Sequence, residues 1–353
     1  MSTKNIGLVS VGVVALNEAA AISALLEDIV NQDYPHENIE VVLIDSGSSD
    51  GTRDIMKSFA EKRQELGFSS IEVLDNPKRI QAAGWNVFFR NAKGDVFIRV
   101  DGHATIARDF VSRNVAVLNA GEDVCGGYRP TIVDKGTQSN WAETLHIAEE
   151  AAFGSSVSDY RRGGEARYVD SLFHGAYRRE VIEKVGLFDE RLLRTEDNDL
   201  HYRIREAGYK IRFDPSVRSA QFARSSLKKM LKQKYGNGYW IGRTLFVQPK
   251  CLQKFHFAPF VFLLGIIALT SIGAFATWLP FAVCAALYAA ATVVLTIRAA
   301  IQSPERNWTM VALPFVFFGI HVSYGVGTLV GLIAGAFKKM PPFDTAFSAE
   351  EGE

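Results

Sequence analysis

Asp101 and His103 stand one residue apart in Val100-Asp101-Gly102-His103, where the apolar run Val96-Phe97-Ile98-Arg99-Val100 stops. A carboxylate and an imidazole at the carboxyl end of a buried strand can both reach a hard divalent ion, and such an ion can neutralise a diphosphate. Taken alone, the pattern is equally a turn after an edge strand. Two other acidic places share its setting. Asp45 closes the run Ile-Glu-Val-Val-Leu-Ile-Asp and is followed by the polar stretch Ser46-Gly47-Ser48-Ser49-Asp50-Gly51-Thr52. Glu196 and Asp197 precede Leu200, Ile204 and Ala207 at helical spacing, so both fall at a helix N-terminus, where carboxylates compensate the helix dipole.

Positioning these groups takes a frame, and the alternation of short apolar runs with helical periods supplies one. Leu8 to Ala15 predicts a buried strand, with Asn17 as N-cap of a helix bearing Ile22, Leu25, Leu26, Ile29 and Val30. Ile39 to Asp45 predicts a second strand and Ile55, Met56 and Phe59 a second helix. Ile71 to Leu74, a helix with Ile80, Ala83, Gly84, Val87 and Phe88, and Val96 to Val100 follow. Four strands alternating with three helices predict a mostly parallel α/β sheet with right-handed crossovers, in which ligands bind beyond the strand carboxyl ends. Asn17, Asp45, Arg79 and Asp101 all fall at that edge.

Beyond residue 101 the pattern is less regular. Val124 to Arg129 reads as a strand, Asn140 to Phe153 as an amphipathic helix, Tyr160-Arg161-Arg162-Gly163-Gly164 as a mobile loop, Arg179 to Val185 as a helix and Tyr209 to Phe213 as a strand. Ser225 is placed to cap a helix with Leu227, Met230, Leu231 and Tyr235 opposite Lys228, Lys229 and Lys232. Such a helix suits an anionic membrane surface or plain solvent.

The 353 residues allow about two domains, and 39 basic against 39 acidic side chains leave no net charge to steer nucleic acid. That balance conceals a partition, because Phe257 to Ile297 carries no charge. Segments 260–277, 280–297 and 309–337 are long enough to cross a bilayer of about 30 Å at about 1.5 Å per helical residue. Lys250, Lys254, Arg298 and Arg306 put the first 245 residues on the cytosolic side by the positive-inside rule. Lys338 and Lys339 conflict with this if the third segment crosses once, and a kinked or re-entrant arrangement, suggested by Gly319, His321, Ser323, Gly325 and Gly327, would resolve the conflict. The expected organisation is a cytosolic domain over 1–245, a membrane region over 246–340 and a tail over 341–353. Met1 to Asn5 opens no signal peptide, and Cys125, Cys251 and Cys284 fit neither a metal spacing nor a disulfide framework.

With these positions in place, residues 8 to about 245 resemble the family 2 glycosyltransferases, which use the GT-A nucleotide-sugar-binding fold. The resemblance is carried by Val13-Val14-Ala15-Leu16-Asn17-Glu18, Ile44-Asp45 with the loop to Thr52, Val100-Asp101-Gly102-His103, His174-Gly175-Ala176-Tyr177-Arg178-Arg179, and Thr195-Glu196-Asp197 with Gly208-Tyr209 beyond. Within the family it is most similar to the membrane-attached glucosyltransferases of succinoglycan-type exopolysaccharide assembly. It implies that Asp45 binds the nucleotide base, with Ala15, Asn17 and Glu18 lining the pocket and Arg79 holding the nucleotide, while Asp50 is a turn and capping residue. Asp101 and His103 would occupy the metal site, Asp101 also facing the donor. The imidazole suits Mn²⁺ better than Mg²⁺. His174, Gly175 and Glu196 would face the acceptor, although His174 is equally a structural histidine, and Asp197 would be the base of an inverting displacement.

The processive members carry Gln-x-x-Arg-Trp after the base, whereas this chain reads Lys232-Gln233-Lys234-Tyr235-Gly236-Asn237-Gly238-Tyr239-Trp240. The resemblance therefore implies transfer of one hexose, glucose from UDP-glucose, to a lipid-linked sugar in the cytoplasmic membrane. A polyprenyl-phosphate sugar synthase and a catalytically silent scaffold that binds nucleotide sugars are the alternatives.

Overall fold

The computed structural model describes residues 6–133, 139–151, 153, 161, 163–222, 226–303 and 306–347. Tyr160, Arg162 and Ser225 of the sequence expectations lie outside the described residues. The chain divides into two compact units, one of residues 1–130, 158–221 and 342–353, the other of 131–157 and 222–341. These units do not follow the boundaries expected at 245 and 340. The difference arises because the helix that follows residue 226 packs with the apolar helices, and because the tail returns to the first unit.

In the first unit, β1 (Val9–Ala15), α1 (Ala19–Val30), β2 (Ile39–Asp45), α2 (Thr52–Glu61), β3 (Ser70–Asp75), α3 (Gln81–Asn91) and β4 (Val96–Asp101) form the alternating half. Their strands lie parallel, as the sequence predicts, and they stand in the order β3-β2-β1-β4. β1, β2 and β4 are buried along their whole length. That is why they read as continuous Val- and Ile-rich runs: both faces are covered by helices. One face packs Val11, Val13, Ile22, Leu25, Ile98 and Val100, the other Phe88, Phe89, Phe97, Phe188 and Leu200.

Beyond β4 the sheet becomes mixed. β5 (Ala104–Ile106), α4 (Phe110–Asn119) and β6 (Val124–Tyr128) are followed by α5 (Asn140–Glu150), which belongs to the second unit. β7 (Arg167–Val169), β8 (Ala176–Arg178), α6 (Arg179–Val185), α7 (Glu196–Glu206) and β9 (Ile211–Phe222) complete the first unit. β8 runs antiparallel between β4 and β6, and β9 is parallel to β6 and antiparallel to β5 and β7.

The sequence places the end of β9 at Phe213. The strand instead continues to Phe222 through a register shift between Asp214 and Arg218. Asp214 Oδ1 accepts from Ser216 N (2.9 Å) and Oγ (2.6 Å), so the Asp-Pro-Ser turn signal is absorbed as a bulge.

The second unit consists of α5, α8 (Leu227–Thr244), α9 (Ala258–Phe275), α10 (Leu279–Gln302) and α11 (Leu313–Phe337) with short 3₁₀ turns between them. Lys254–Phe275, Leu279–Gln302 and Trp308–Phe337 are each long and apolar enough to cross a membrane. α8 runs nine residues past Tyr235 despite Gly236, Gly238 and Gly242. Its glycines permit contact with α11: a Cβ on Gly238 would sit 2.0 Å from Tyr324 O, and one on Gly331 2.0 Å from Tyr239 O. Backbone-to-backbone approach of this kind needs small residues on both helices.

Candidate active site

All of the predicted site residues lie in the first unit. On the donor side, the backbone turns sharply after β1. Asn17 takes a left-handed φ of 57°, tolerated because its amide Oδ1 accepts from Ser49 N (2.8 Å) while its own N–H donates to Ser48 Oγ (2.9 Å). Asn17 therefore does not cap α1; Glu18 holds that position, and Asp50 supplies the cap. Asp50 Oδ2 accepts from Ala19 N (3.0 Å) and Oδ1 from Thr52 N (3.1 Å), closing the first turns of α1 and α2 together.

Asp45, buried at the end of β2, folds onto its own loop. Its Oδ2 accepts from Gly47 N (3.1 Å) and Ser48 N (3.2 Å). Arg79, also left-handed (φ 57°) and exposed, lays its guanidinium beside Gly47. Ala15 abuts Gly102, where any Cβ would come within 2.7 Å of the alanine methyl, so the end of β1 can lie directly against the turn after Asp101.

Residues two apart on a strand share a face. Arg99 and Asp101 of β4 therefore point together toward the N-terminus of α7. Asp101 is 6% exposed and accepts from Gln81 Nε2 (3.0 Å), while its Oδ2 lies 3.7 Å from His174 Nε2. Burial pushes its carboxyl up, but His174, His103 and Arg99 outweigh that and hold it at about 2. His103 is turned elsewhere. Its Nδ1 is 3.1 Å from Glu18 Oε1 and its Nε2 is 2.7 Å from Gln221 Nε2. Gln221 in turn accepts from Arg129, whose guanidinium stacks on Phe173.

Asp197 is held from below. Arg99 Nη1 donates to Asp197 Oδ1 at 2.7 Å, with the arginine side chain 3% and the aspartate 22% exposed. The guanidinium lies between the rings of Trp85 (4.5 Å) and Phe188 (4.6 Å). Burial alone would depress Arg99, but Asp197 beside it more than offsets this and keeps it charged. Such a pair is weak support for stability, yet removing one partner leaves a buried charge at a cost of about 3–5 kcal/mol. Its effect is to fix a carboxylate in place. Burial also raises Asp197 above the ordinary range, Arg99 opposing.

Next to it, burial and then the Asp197 charge push Glu196 up to about 8, and its Oε2 is buried with no hydrogen-bond partner among the described residues. Two adjacent carboxyl groups thus differ, one paired with a cation and one without such a partner and pushed toward its protonated form by burial and the neighbouring charge.

His174 is buried. Its Nδ1 is 2.8 Å from Ser219 Oγ, and burial keeps the ring below its ordinary pKa against the pull of Asp101. Gly175 is required because a Cβ would meet the Tyr177 hydroxyl at 2.5 Å. That hydroxyl is 2.9 Å from His201 Nε2 and 3.5 Å from Arg99 Nη1.

Asp101, His174, Glu196, Asp197 and Gly175 thus surround the end of β4. Asn17, Asp45 and Arg79 cluster at the ends of β1 and β2, and Glu18 and His103 lie between the two groups. The sequence reading did not single out Arg99, Gln81, Arg129 or Gln221. Arg99 carried a signal, a lone charge inside a fully apolar strand, which must be paired when buried. The others come from distant elements and had none.

Among the described residues no group of three His, Cys, Asp or Glu side chains is gathered as for a metal ion. One carboxylate held ionised at the carboxyl edge of the sheet nevertheless suits a hard divalent cation, which can keep most of its ligands as water and substrate oxygens.

A parallel sheet whose carboxyl edge carries this cluster, extended by mixed strands, is a GT-A fold, the scaffold of enzymes that use nucleotide sugars. The chain belongs to glycosyl transferase family 2, whose sequence model matches residues 10–186, and it is a glycosyltransferase.

Among its relatives is the dolichyl N-acetyl-alpha-D-glucosaminyl phosphate 3-beta-D-2,3-diacetamido-2,3-dideoxy-beta-D-glucuronosyltransferase of Methanococcus voltae, 28% identical over 93% of this chain and 98% of the relative. Succinoglycan biosynthesis protein ExoA of Rhizobium meliloti (strain 1021) is 33% identical over 63% of this chain and 66% of its own. In structure the chain is similar to the mannosyltransferase PcManGT from Pyrobaculum calidifontis, solved in complex with GDP-Man and Mn²⁺. The TM-score is 0.60 at 21% identity, covering 96% of this chain and 89% of that one.

Proposed function

We propose that the protein moves a single hexose, glucose from UDP-glucose, onto a sugar carried by a membrane lipid at the cytosolic face, with inversion at the anomeric carbon. The observation that carries this reading is the pairing of Asp197 with Arg99 beside a buried Glu196 whose carboxyl is pushed up by burial and by the Asp197 charge. It leaves one ionised carboxylate, fixed and raised in pKa by burial, where an acceptor hydroxyl would lose its proton. Glu196, able to donate, would hold another acceptor oxygen. Asp45 would take the imide N–H of uracil, and Arg79 would face the nucleotide phosphates. A divalent ion held by Asp101, with His103 released from Glu18, would neutralise the departing diphosphate. The Methanococcus voltae relative's name describes transfer to a dolichyl-linked sugar phosphate, which supports a lipid-linked acceptor here. The three apolar helices support a membrane location.

An acceptor panel separates the close alternative. Membranes holding the protein are incubated with nucleotide sugars and with either a polyprenyl phosphate or a polyprenyl-diphosphate sugar, and the lipids are analysed by mass spectrometry. One added hexose on the lipid-linked sugar is expected. Transfer to the bare phosphate alone would make the protein a polyprenyl-phosphate sugar synthase, whose acceptor oxygen is already ionised and needs no base.

A further inference from the structure

We infer that α11, although long and apolar enough to cross a bilayer, does not cross it. It lies along the interface on the side of the catalytic unit, paired with α8, and presents its outer face to lipid. The chain then crosses twice, through α9 and α10. This rests on the membrane location proposed above and not on the chemistry.

The carboxyl end of α11 is the first constraint. Only Lys338 to Pro341 separate it from residues 342–347, which belong to the catalytic unit. There Leu187 N donates to Thr345 O at 2.6 Å, and Phe347 packs against the core that holds Leu187 and Phe188. The five steps from Phe337 to Pro342 reach at most about 18 Å, well short of a hydrocarbon core of about 30 Å. The end of α11 is therefore on the catalytic side.

Its beginning is on that side too. Thr309 Oγ1 donates to Asn140 O (2.8 Å) and lies 2.7 Å from Thr144 Oγ1, both on α5. α5 carries Glu143, Glu149 and Glu150, and residues 131–139, with Asp134 and Lys135 among them, join it to Pro130 of the catalytic unit. A helix with both ends on one side crosses an even number of times, and one continuous helix cannot cross twice.

The neighbours of α11 agree. α9 meets its middle with a first turn, since a Cβ on Gly325 would strike Pro259 O (2.5 Å) and Leu263 Cβ (2.9 Å). α10 brings Leu295, Ala299 and Ala300, from its last turns, to the cluster of Leu313, Val316 and Phe317. α9 thus touches α11 through its first turns, next to Lys254, while α10 meets it through its last turns and through Tyr288, whose hydroxyl lies 3.0 Å from His321 Nδ1.

α8 is the remaining neighbour. It lies along α11 with backbones touching at Gly238 and Gly331, and Arg243 Nη1 donates to Ala334 O (2.7 Å) and Lys338 O (2.8 Å), closing the carbonyl end of α11. It also carries the exposed Lys228, Lys229 and Lys232. At the bilayer centre a lysine ammonium is costly to insert, whereas at an interface it extends to anionic headgroups. Phe315, Phe318, Val330, Ile333 and Phe337 are exposed at helical spacing on the outer side of α11, forming one apolar stripe suited to the acyl boundary. In this arrangement Lys338 and Lys339 join Lys250, Lys254, Arg298 and Arg306 on one side, and the conflict with the positive-inside rule disappears.

The test uses the full chain with one epitope tag before Met1 and another after Glu353, in sealed membrane vesicles of both orientations exposed to protease. Both tags should be lost together from one orientation and both kept in the other. Tags cleaved from opposite orientations would mean an odd number of crossings and would overturn the inference. Neither tag alters a helix, so the readout does not depend on a variant folding.

Discussion

At the scale of single residues, the site separates carboxyl groups by their surroundings. Asp45 is tied to loop amides, with Ser48 N shared between its two oxygens, and the lone pair that remains on Oδ1 would suit a donor from the base. Asp45→Asn places an NH₂ against those amides and removes a charge-assisted bond of about 1.5–3 kcal/mol. UDP should bind roughly ten- to a hundredfold more weakly by calorimetry, and unchanged affinity would remove Asp45 from the donor site. Glu196 gives a pH signature. Its folded pKa, about 8 against an ordinary 4.5, means that between those values the folded chain keeps a proton the unfolded chain has released. Stability from this group is present below the lower value and is lost as pH rises toward the upper one. Glu196→Gln mimics the protonated form, so its unfolding transition should gain on the wild type as pH rises from about 5 to about 8. Parallel pH profiles would show Glu196 to be ionised in the fold.

At the scale of elements, the parallel half of the sheet was legible because each strand is buried on both faces and each helix repeats at 3.6 residues. β2 and α6 occur with the predicted bounds. The mixed half was not, since three-residue strands such as β7 and β8 carry no period, and the bulge in β9 imitates a turn. Asp45, Asp101 and Asp197 were legible because they stand where strands and helices end. Arg99 lies mid-strand, and only its contact with α7, nearly a hundred residues away, reveals its part. Glycine is a poor helix former as a residue type, yet the glycines of α8 and α11 are the contact between the two. Gly331→Ala should therefore force the helices apart and cost about 1–3 kcal/mol, lowering the melting temperature in detergent. Gly265, with nothing within 4 Å of its added Cβ, is the control, and Gly265→Ala should be neutral or stabilising. Equal effects at both positions would contradict the close packing.

At the scale of the whole molecule, the claim is that one cluster at the end of β4 performs transfer and that Asp197 is its base. Asp197→Asn keeps the shape of the side chain and its bond from Arg99 but removes the capacity to accept a proton. The direct measurement is turnover of wild type and Asp197→Asn in the same membranes, read by mass spectrometry as hexose added to lipid-linked sugar, beside UDP affinity for both. Turnover should fall about 10²- to 10⁴-fold, the usual worth of a positioned general base, while UDP binding stays within experimental error. Near-normal turnover in Asp197→Asn would contradict the account and move the base to another group, with Glu196 the nearest.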